Sequence, residues 1–271
     1  MKNIFNYKSF LNGKYTSLNE NTENTEIFEY NDMIDYTLLD NNVDDNAIIE
    51  LCRKAKQFST KSVCVMPKHV KIANEQLKDS SVLVCTVISF PGGTNSLEQK
   101  ESETNQVISD GADEVDMVLN YQSLKTEWID NPTDENSIPI YNQLVEEVKS
   151  LVNICHNSTN KDGDRIILKV IVESGLLTIE QTRTTTDICL DAGADYIKTS
   201  TGMVSVGAEL DKIKVMSETI KGADSNMKIK ASGGVRTLGD IKAYLPYVDR
   251  LGMGFGSVDK LNGLDSNSEG Y

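Results

Sequence analysis

From position 34 onward the chain repeats one hydrophobic rhythm: a short β-rich apolar run, a polar turn, then a longer amphipathic stretch of helical length. The apolar runs fall at 34–39, 62–66, 82–89, 114–119, 166–173, 196–199, 228–232 and 250–254. Helical stretches are predicted at 45–57, 97–110, 141–156, 178–192, 209–220 and 238–245. Strand and helix in strict alternation is the α/β signature. Several helices begin at a cap-type residue, as at Thr178 with Glu180 and Gln181 following, where a hydroxyl can accept a free N–H of the first turn. Gly-Ala-Asp occurs twice, at 111–113 and 193–195, each time just before a strand. Glycine after a helix end takes φ > 0 without steric penalty, so two copies of one turn point to repeated βα units. Eight such units favour a single closed (β/α)8 barrel over a doubly wound sheet, and no G-x-G-x-x-G follows the first strand.

Three segments depart from this rhythm. Residues 1–30 are rich in Asn, Thr and Glu without periodicity, which predicts a flexible N-terminal extension. The stretch 125–139 is polar with two prolines and is expected to be an inserted surface loop. Residues 262–271 form a polar C-terminal tail, leaving 31–261 as the barrel domain. The full length of 271 residues suits one such barrel, which commonly takes about 250.

Composition narrows the partners. With 27 basic against 41 acidic side chains the net charge is −14, and no dense Lys/Arg stripe occurs, so nucleic acid is not expected. An anionic substrate then has to be held by a local positive spot against the field of the whole protein. The most apolar stretch, 82–90, falls far short of the roughly 20 residues that cross a bilayer, and MKNIFNYKSF lacks a signal-peptide core and cleavage site. Neither a membrane span nor secretion is expected. Five cysteines, at 52, 64, 85, 155 and 189, include no C-x-x-C pair and read as reduced core thiols of a cytoplasmic protein. Only two histidines, His69 and His156, are present, which argues against a multi-histidine metal centre. No metal is expected, and acid–base work falls to Lys, carboxylates or Tyr.

Catalytic groups of a barrel sit at the C-terminal ends of its strands. Polar residues set within or just after the apolar runs are Asp35, Thr37, Asp116, Lys169, Glu173, Lys198 and Lys230. Lys198 follows an apolar pair and precedes Thr199-Ser200-Thr201-Gly202, and Lys230 ends the neighbouring strand in the same way. Two inward ammonium groups on adjacent strands repel, so one of them should lose its proton near neutrality. A free amine can form a Schiff base with an aldehyde or ketone, the electron sink needed to break or make a carbon–carbon bond. Asp116 lies within reach as a proton relay. The alternative is that these lysines form structural ion pairs inside the barrel. Lys169 is read as lining of the site, or else as the structural partner of Glu173. Glycine turns after the last strands, at 200–202, 232–236 and 252–257, supply bare backbone N–H groups for a phosphate, with Arg236 beside them.

These residues resemble the deoxyribose-phosphate aldolase family of class I aldolases. The resemblance runs from about position 34 to 257 and is carried by Ile34-Asp35-Tyr36-Thr37-Leu38-Leu39, Val63-Cys64-Val65-Met66-Pro67, Ser89-Phe90-Pro91-Gly92-Gly93, the run from Gly111 to Asn120, Leu168-Lys169-Val170-Ile171-Val172-Glu173, Tyr196-Ile197-Lys198-Thr199-Ser200-Thr201-Gly202, and Lys230-Ala231-Ser232-Gly233-Gly234-Val235-Arg236-Thr237. It implies reversible cleavage of 2-deoxy-D-ribose 5-phosphate to D-glyceraldehyde 3-phosphate and acetaldehyde, with no metal or organic cofactor. By position Lys198 resembles the Schiff-base lysine, Lys230 the second lysine and Asp116 the proton relay. Asp35, Thr37 and Lys169 would line the substrate, and Thr201, Gly202, Gly233, Gly234 and Arg236 fall where the family builds its phosphate site. Two features depart from the family: Met203 stands where some members carry a lysine, and the last strand ends in Gly-Met-Gly-Phe-Gly-Ser instead of a Gly-x-Ser-Ser type. Gly254 and Ser257 are assigned to the phosphate site on that altered strand. Some members use a terminal tyrosine in the proton step, which makes Tyr271 a candidate. Cys64 matches a family cysteine but is read as a small core residue. A homodimer is expected. The competing expectations are a catalytically silent phosphosugar-binding barrel and a related barrel lyase with another aldehyde donor.

Overall fold

The computed structural model describes residues 29–126 and 137–264. Eight parallel strands close in sequence order into one barrel. They are β1 (Ile34–Leu38), β2 (Ser62–Val65), β3 (Leu83–Ile88), β4 (Glu114–Val118), β5 (Ile167–Ile171), β6 (Tyr196–Lys198), β7 (Lys228–Ser232) and β8 (Arg250–Gly254). Helices between and after them are α1 (Asp45–Phe58), α2 (Val70–Leu77), α3 (Leu97–Ser109), α4 (Gln122–Thr126), α5 (Ser137–His156), α6 (Ile179–Ala192), α7 (Leu210–Gly222), α8 (Leu238–Tyr244) and α9 (Phe255–Leu261). All eight predicted strands form, and β7 and β8 have the predicted ends. Residues 1–28 of the 1–30 extension, 127–136 of the 125–139 loop, and 265–271 of the tail, Tyr271 included, lie outside the described residues; of the predicted loop, 137–139 are already helical.

Sequence reading missed α2, α4 and α9, each of eight residues or fewer; α8 is as short but opens on the cap-type Thr237 with Asp240 three residues on. The last of the missed three matters most. α9 starts directly after Gly254, so Ser257, expected in a glycine loop, stands inside a helix. Its Asp259 is buried and accepts from the Tyr36 hydroxyl of β1 and from Lys54 Nζ of α1 at 2.5 Å, tying the last helix to the first strand.

The repeated Gly-Ala-Asp has a clear role. Gly111 and Gly193 have φ of +100° and +78°, and each following aspartate accepts the N–H of a residue on the preceding strand: Asp113 from Val84 at 2.7 Å and Asp195 from Leu168 at 2.9 Å. Asp249 does the same for Ile229 at 3.0 Å without the glycine. A buried strand start leaves N–H groups that must be satisfied, and these carboxylates do it. Helix starts follow the predicted chemistry, with a full capping box of Thr178 and Gln181 at α6.

The main core lies between strands and helices, where Ile34, Tyr36, Ile48, Val63, Val115, Leu168, Ile188 and Leu251 are buried. Inside the barrel the filling is different. Asp35, Glu114, Asp116, Lys169, Lys198, Lys230 and Arg250 all point into it and are at most 3% exposed.

Candidate active site

Three carboxylates and four cations in one enclosed space hold each other by mutual pairing, since an unpaired buried charge is strongly unfavourable. At the floor, Arg250 of β8 reaches both oxygens of Glu114 at 2.9 and 3.0 Å and Asp35 Oδ1 at 2.6 Å. Lys169 of β5 bridges upward, from Glu114 Oε2 at 2.7 Å to Asp116 Oδ1 at 2.8 Å. Asp116 of β4 is the hub. Its Oδ2 accepts from Lys198 Nζ at 2.8 Å and Lys230 Nζ at 2.6 Å, so three ammonium groups share one carboxylate. Lys230 also donates to Asp35 Oδ2 at 2.5 Å, and Ser62 Oγ donates to Asp35 Oδ1 at 2.7 Å.

This geometry corrects one expectation and decides an open alternative. Lys198 and Lys230 are register partners on β6 and β7, yet direct repulsion does not govern them, because Asp116 stands between. Burial alone would lower the Lys230 ammonium, but Asp116 and Asp35 overcome it and hold that group well above its ordinary value. Lys230 is therefore a fixed cation. Burial pushes Asp116 up, but the combined fields of Lys169, Lys198 and Lys230 prevail and hold it well below the usual carboxylate range. Secondly, Lys169 does not pair with Glu173. The partner of Glu173 is Thr201, whose N–H and hydroxyl both donate to it.

Above the charged layer the mouth divides. Leu39, Cys64, Met66, Cys85 and Val87 form one apolar group, and Val118, Tyr121 and Ile171 another, with Phe90 packed against both. Cys64 sits in this apolar group, yet its Sγ and that of Cys85 lie within 4.8 Å of an Asp116 carboxylate oxygen, so the pair also faces the charged layer. On the β6–β8 side the wall is backbone, glycine and hydroxyl. Gly202, Gly233 and Gly234 all have φ near +80°, and the loop after β6 lies so close to the loop after β7 that a Cβ at Gly207 would come within 2.1 Å of Gly233 O. Thr201, Gly202 and Gly233 are brought together there, whereas Arg236 is exposed and Gly254 is the buried end of β8. Thr37 is buried and donates to the Asp35 carbonyl at 2.8 Å. Gly252 proves to be a spacer and not a cradle glycine: a Cβ there would meet Ser232 Cβ at 2.8 Å and Lys230 Cε at 3.1 Å.

Sequence reading missed Glu114 and Arg250, since charged residues at the first position of a strand look like boundary residues. The signal was available in period two: Glu114 and Asp116 must share a face. Arg250→Met is expected to lower stability by about 3–5 kcal/mol, because it leaves Glu114 and Asp35 short of their buried cation. Urea unfolding reads this directly, and a loss below about 1 kcal/mol would mean the floor rearranges without it. Clefts at the opposite rim, lined by Asp113, Arg165, Lys228 and Asp249 among others, contain none of the predicted site residues.

Comparison with known proteins gives the family and agrees with the barrel fold. A family model described as DeoC/LacD family aldolase matches residues 31–246. A deoxyribose-phosphate aldolase of Staphylococcus carnosus is 38% identical over 242 residues, covering 89% of this chain and 99% of that protein. One of Mycoplasmoides pirum is 41% identical over 209 residues, covering 77% and 86%. Among solved structures, QR15, an aldolase, superposes with a TM-score of 0.72 at 32% identity, covering 85% of this chain and 93% of that one.

Proposed function

The chain belongs to the DeoC/LacD family of aldolases, and on that premise we propose that it cleaves 2-deoxy-D-ribose 5-phosphate reversibly to D-glyceraldehyde 3-phosphate and acetaldehyde through an imine on Lys198. The enzyme is a carbon–carbon lyase, and residues 31–261 are its catalytic unit. The observation that carries the reading is Lys198 Nζ, 2% exposed and sharing Asp116 Oδ2 with Lys230.

Lys198 Nζ passes a proton by way of Asp116 to solvent and, as the free amine, attacks C1 of the open-chain sugar; loss of water gives the iminium. The hydroxyl proton on C3 is then removed, the C2–C3 bond breaks, and its electron pair enters the iminium to form an enamine as glyceraldehyde 3-phosphate leaves. Protonation of the enamine at C2 and hydrolysis release acetaldehyde. Asp116 suits the proton transfers because its charge environment changes during the cycle. With three ammonium groups on it the carboxylate is a weak base; when Lys198 turns into a neutral carbinolamine, one of those charges is gone and the affinity of Asp116 for a proton rises. Lys230, held cationic by Asp35 as well, remains in place throughout. The apolar group around Val87, Phe90 and Ile171 excludes water from one side, which strengthens every charge interaction in the site. Thr201, Gly202, Gly233 and Gly234 supply the rim that takes the phosphate, with Arg236 as its nearby cation and Gly254 and Ser257 closing it. Tyr271 is a further candidate for the proton step.

Incubation with the phosphosugar and sodium borohydride, followed by peptide mapping, tests this. The expected result is a reduced adduct on Lys198. An adduct on another lysine, or none with folded protein, overturns the assignment. Five free buried cysteines support a reducing compartment, so we place the enzyme in the cytoplasm. No helix among the described residues is long and apolar enough to cross a membrane. A homodimer goes with this reading and is checked by sedimentation.

A further inference from the structure

We propose that Glu173 is a positioning residue that holds the turn after the Schiff-base strand in shape to take the phosphorylated end of the substrate. The inference rests on the reaction assigned above and concerns a residue that touches none of the reacting atoms. Three independent observations support it.

The first is backbone conformation. Glu173 follows the end of β5 with φ 51° and ψ 51°, a left-handed conformation that disfavours a side chain at this position and persists only where its surroundings enforce it. The second is its hydrogen bonding. Glu173 is fully buried, and both carboxylate oxygens face Thr201: the backbone N–H at 3.3 and 3.2 Å and the hydroxyl at 2.5 Å. Thr201 Oγ1 in turn accepts Met203 N–H at 3.1 Å. Backbone pairing between the two strands runs on through Val172 N to Lys198 O at 3.0 Å and Ser174 N to Thr199 O at 2.7 Å. Where that ladder ends, the carboxylate takes over and fixes the next three residues. The third is what the clamp holds. Ser174 and Ser200, which flank the clamped pair in sequence, are both buried with hydroxyls that find no hydrogen-bond partner among the described residues. Ser200 Cβ and Gly202 Cα stand 3.3 and 3.4 Å from where a Cβ of Gly233 would be. Glu173 therefore sets the seam between the β6 and β7 loops, and the unpaired Ser200 hydroxyl beside that seam is available to a ligand.

The test compares 2-deoxyribose 5-phosphate with unphosphorylated 2-deoxyribose in wild type and Glu173→Gln. An amide keeps one oxygen for the two Thr201 donors but sets an NH₂ where the second carboxylate oxygen accepted the Thr201 N–H, and it loses the negative charge that both donors face, so the turn loosens. KM for the phosphorylated sugar is expected to rise about tenfold or more, the scale of losing a hydrogen bond to a charged group. Its kcat should change far less, and borohydride trapping of acetaldehyde on Lys198 should keep its rate. An unchanged KM, or a parallel loss on both sugars, overturns the positioning role. Should Glu173→Gln not fold, Thr201→Val removes the same hydroxyl donor and is judged by the same split, with Thr201→Ser restoring wild-type KM. Absence of any Lys198 adduct in wild type instead overturns the assigned reaction, so the two failures are distinguishable.

Discussion

Lys198→Ala is expected to abolish aldol cleavage, lowering kcat by at least about 10⁴-fold, while the barrel stays folded. The size follows from the chemistry: a covalent route that loses its nucleophile keeps only what binding and polar stabilisation supply. The fold is expected to survive because Lys198 is the uppermost member of the ion network and the only one of its cations with a single carboxylate contact, at Asp116. Lys169 and Lys230 remain on Asp116 after the change, at 2.8 and 2.6 Å, so no buried carboxylate is left unpaired. The measurement is steady-state cleavage together with far-UV circular dichroism and borohydride trapping. Loss of turnover and of the adduct with unchanged unfolding behaviour is the expected outcome. Residual turnover above about one per cent of wild type, with an adduct moved to Lys230, would make Lys230 the nucleophile.

Much of this was legible in the chain. Each strand is flanked by turn chemistry that the sequence shows openly, and eight strand–helix alternations leave few topologies. Lys198, Lys230 and Asp116 stood out because charged side chains in apolar runs are costly unless paired or used. Their pairing was not legible. Asp116 is 82 positions from Lys198 and 114 from Lys230, and only barrel closure makes them neighbours. Reading the two lysines as adjacent like charges therefore gave repulsion, whereas the fold inserts the carboxylate that cancels it. The same gap explains Glu173, which lies four positions from Lys169 along the chain but meets Thr201 across the β5–β6 seam. It also explains Gly252, whose missing side chain makes room for Lys230 and gives no local signal.

Asp116→Asn is the second large effect, and it separates a proton relay from a structural counter-ion. In the variant three ammonium groups face a neutral amide whose oxygen offers two lone pairs and whose NH₂ repels a donor. Stability is expected to fall by about 3–5 kcal/mol, the usual result of removing one partner from a buried charge cluster. The pH dependence has a definite sign. The wild-type carboxylate is held well below its ordinary 3.8, despite burial, by Lys169, Lys198 and Lys230, so its contribution is complete above that value and is lost as pH falls through the folded one. Lys169 and Lys230 are held well above 10.5, and their contribution, complete below 10.5, is lost only as pH rises through the folded values. The stability gap between wild type and variant should therefore stay wide from about pH 5 to 10 and narrow under acid. Turnover should fall by about 10²–10⁴-fold, the range for a lost general acid–base, with the adduct still on Lys198 but formed more slowly. If kcat stayed within about tenfold of wild type while stability dropped as expected, Asp116 would be a counter-ion alone, and the proton of the C3 hydroxyl would have to leave by another group.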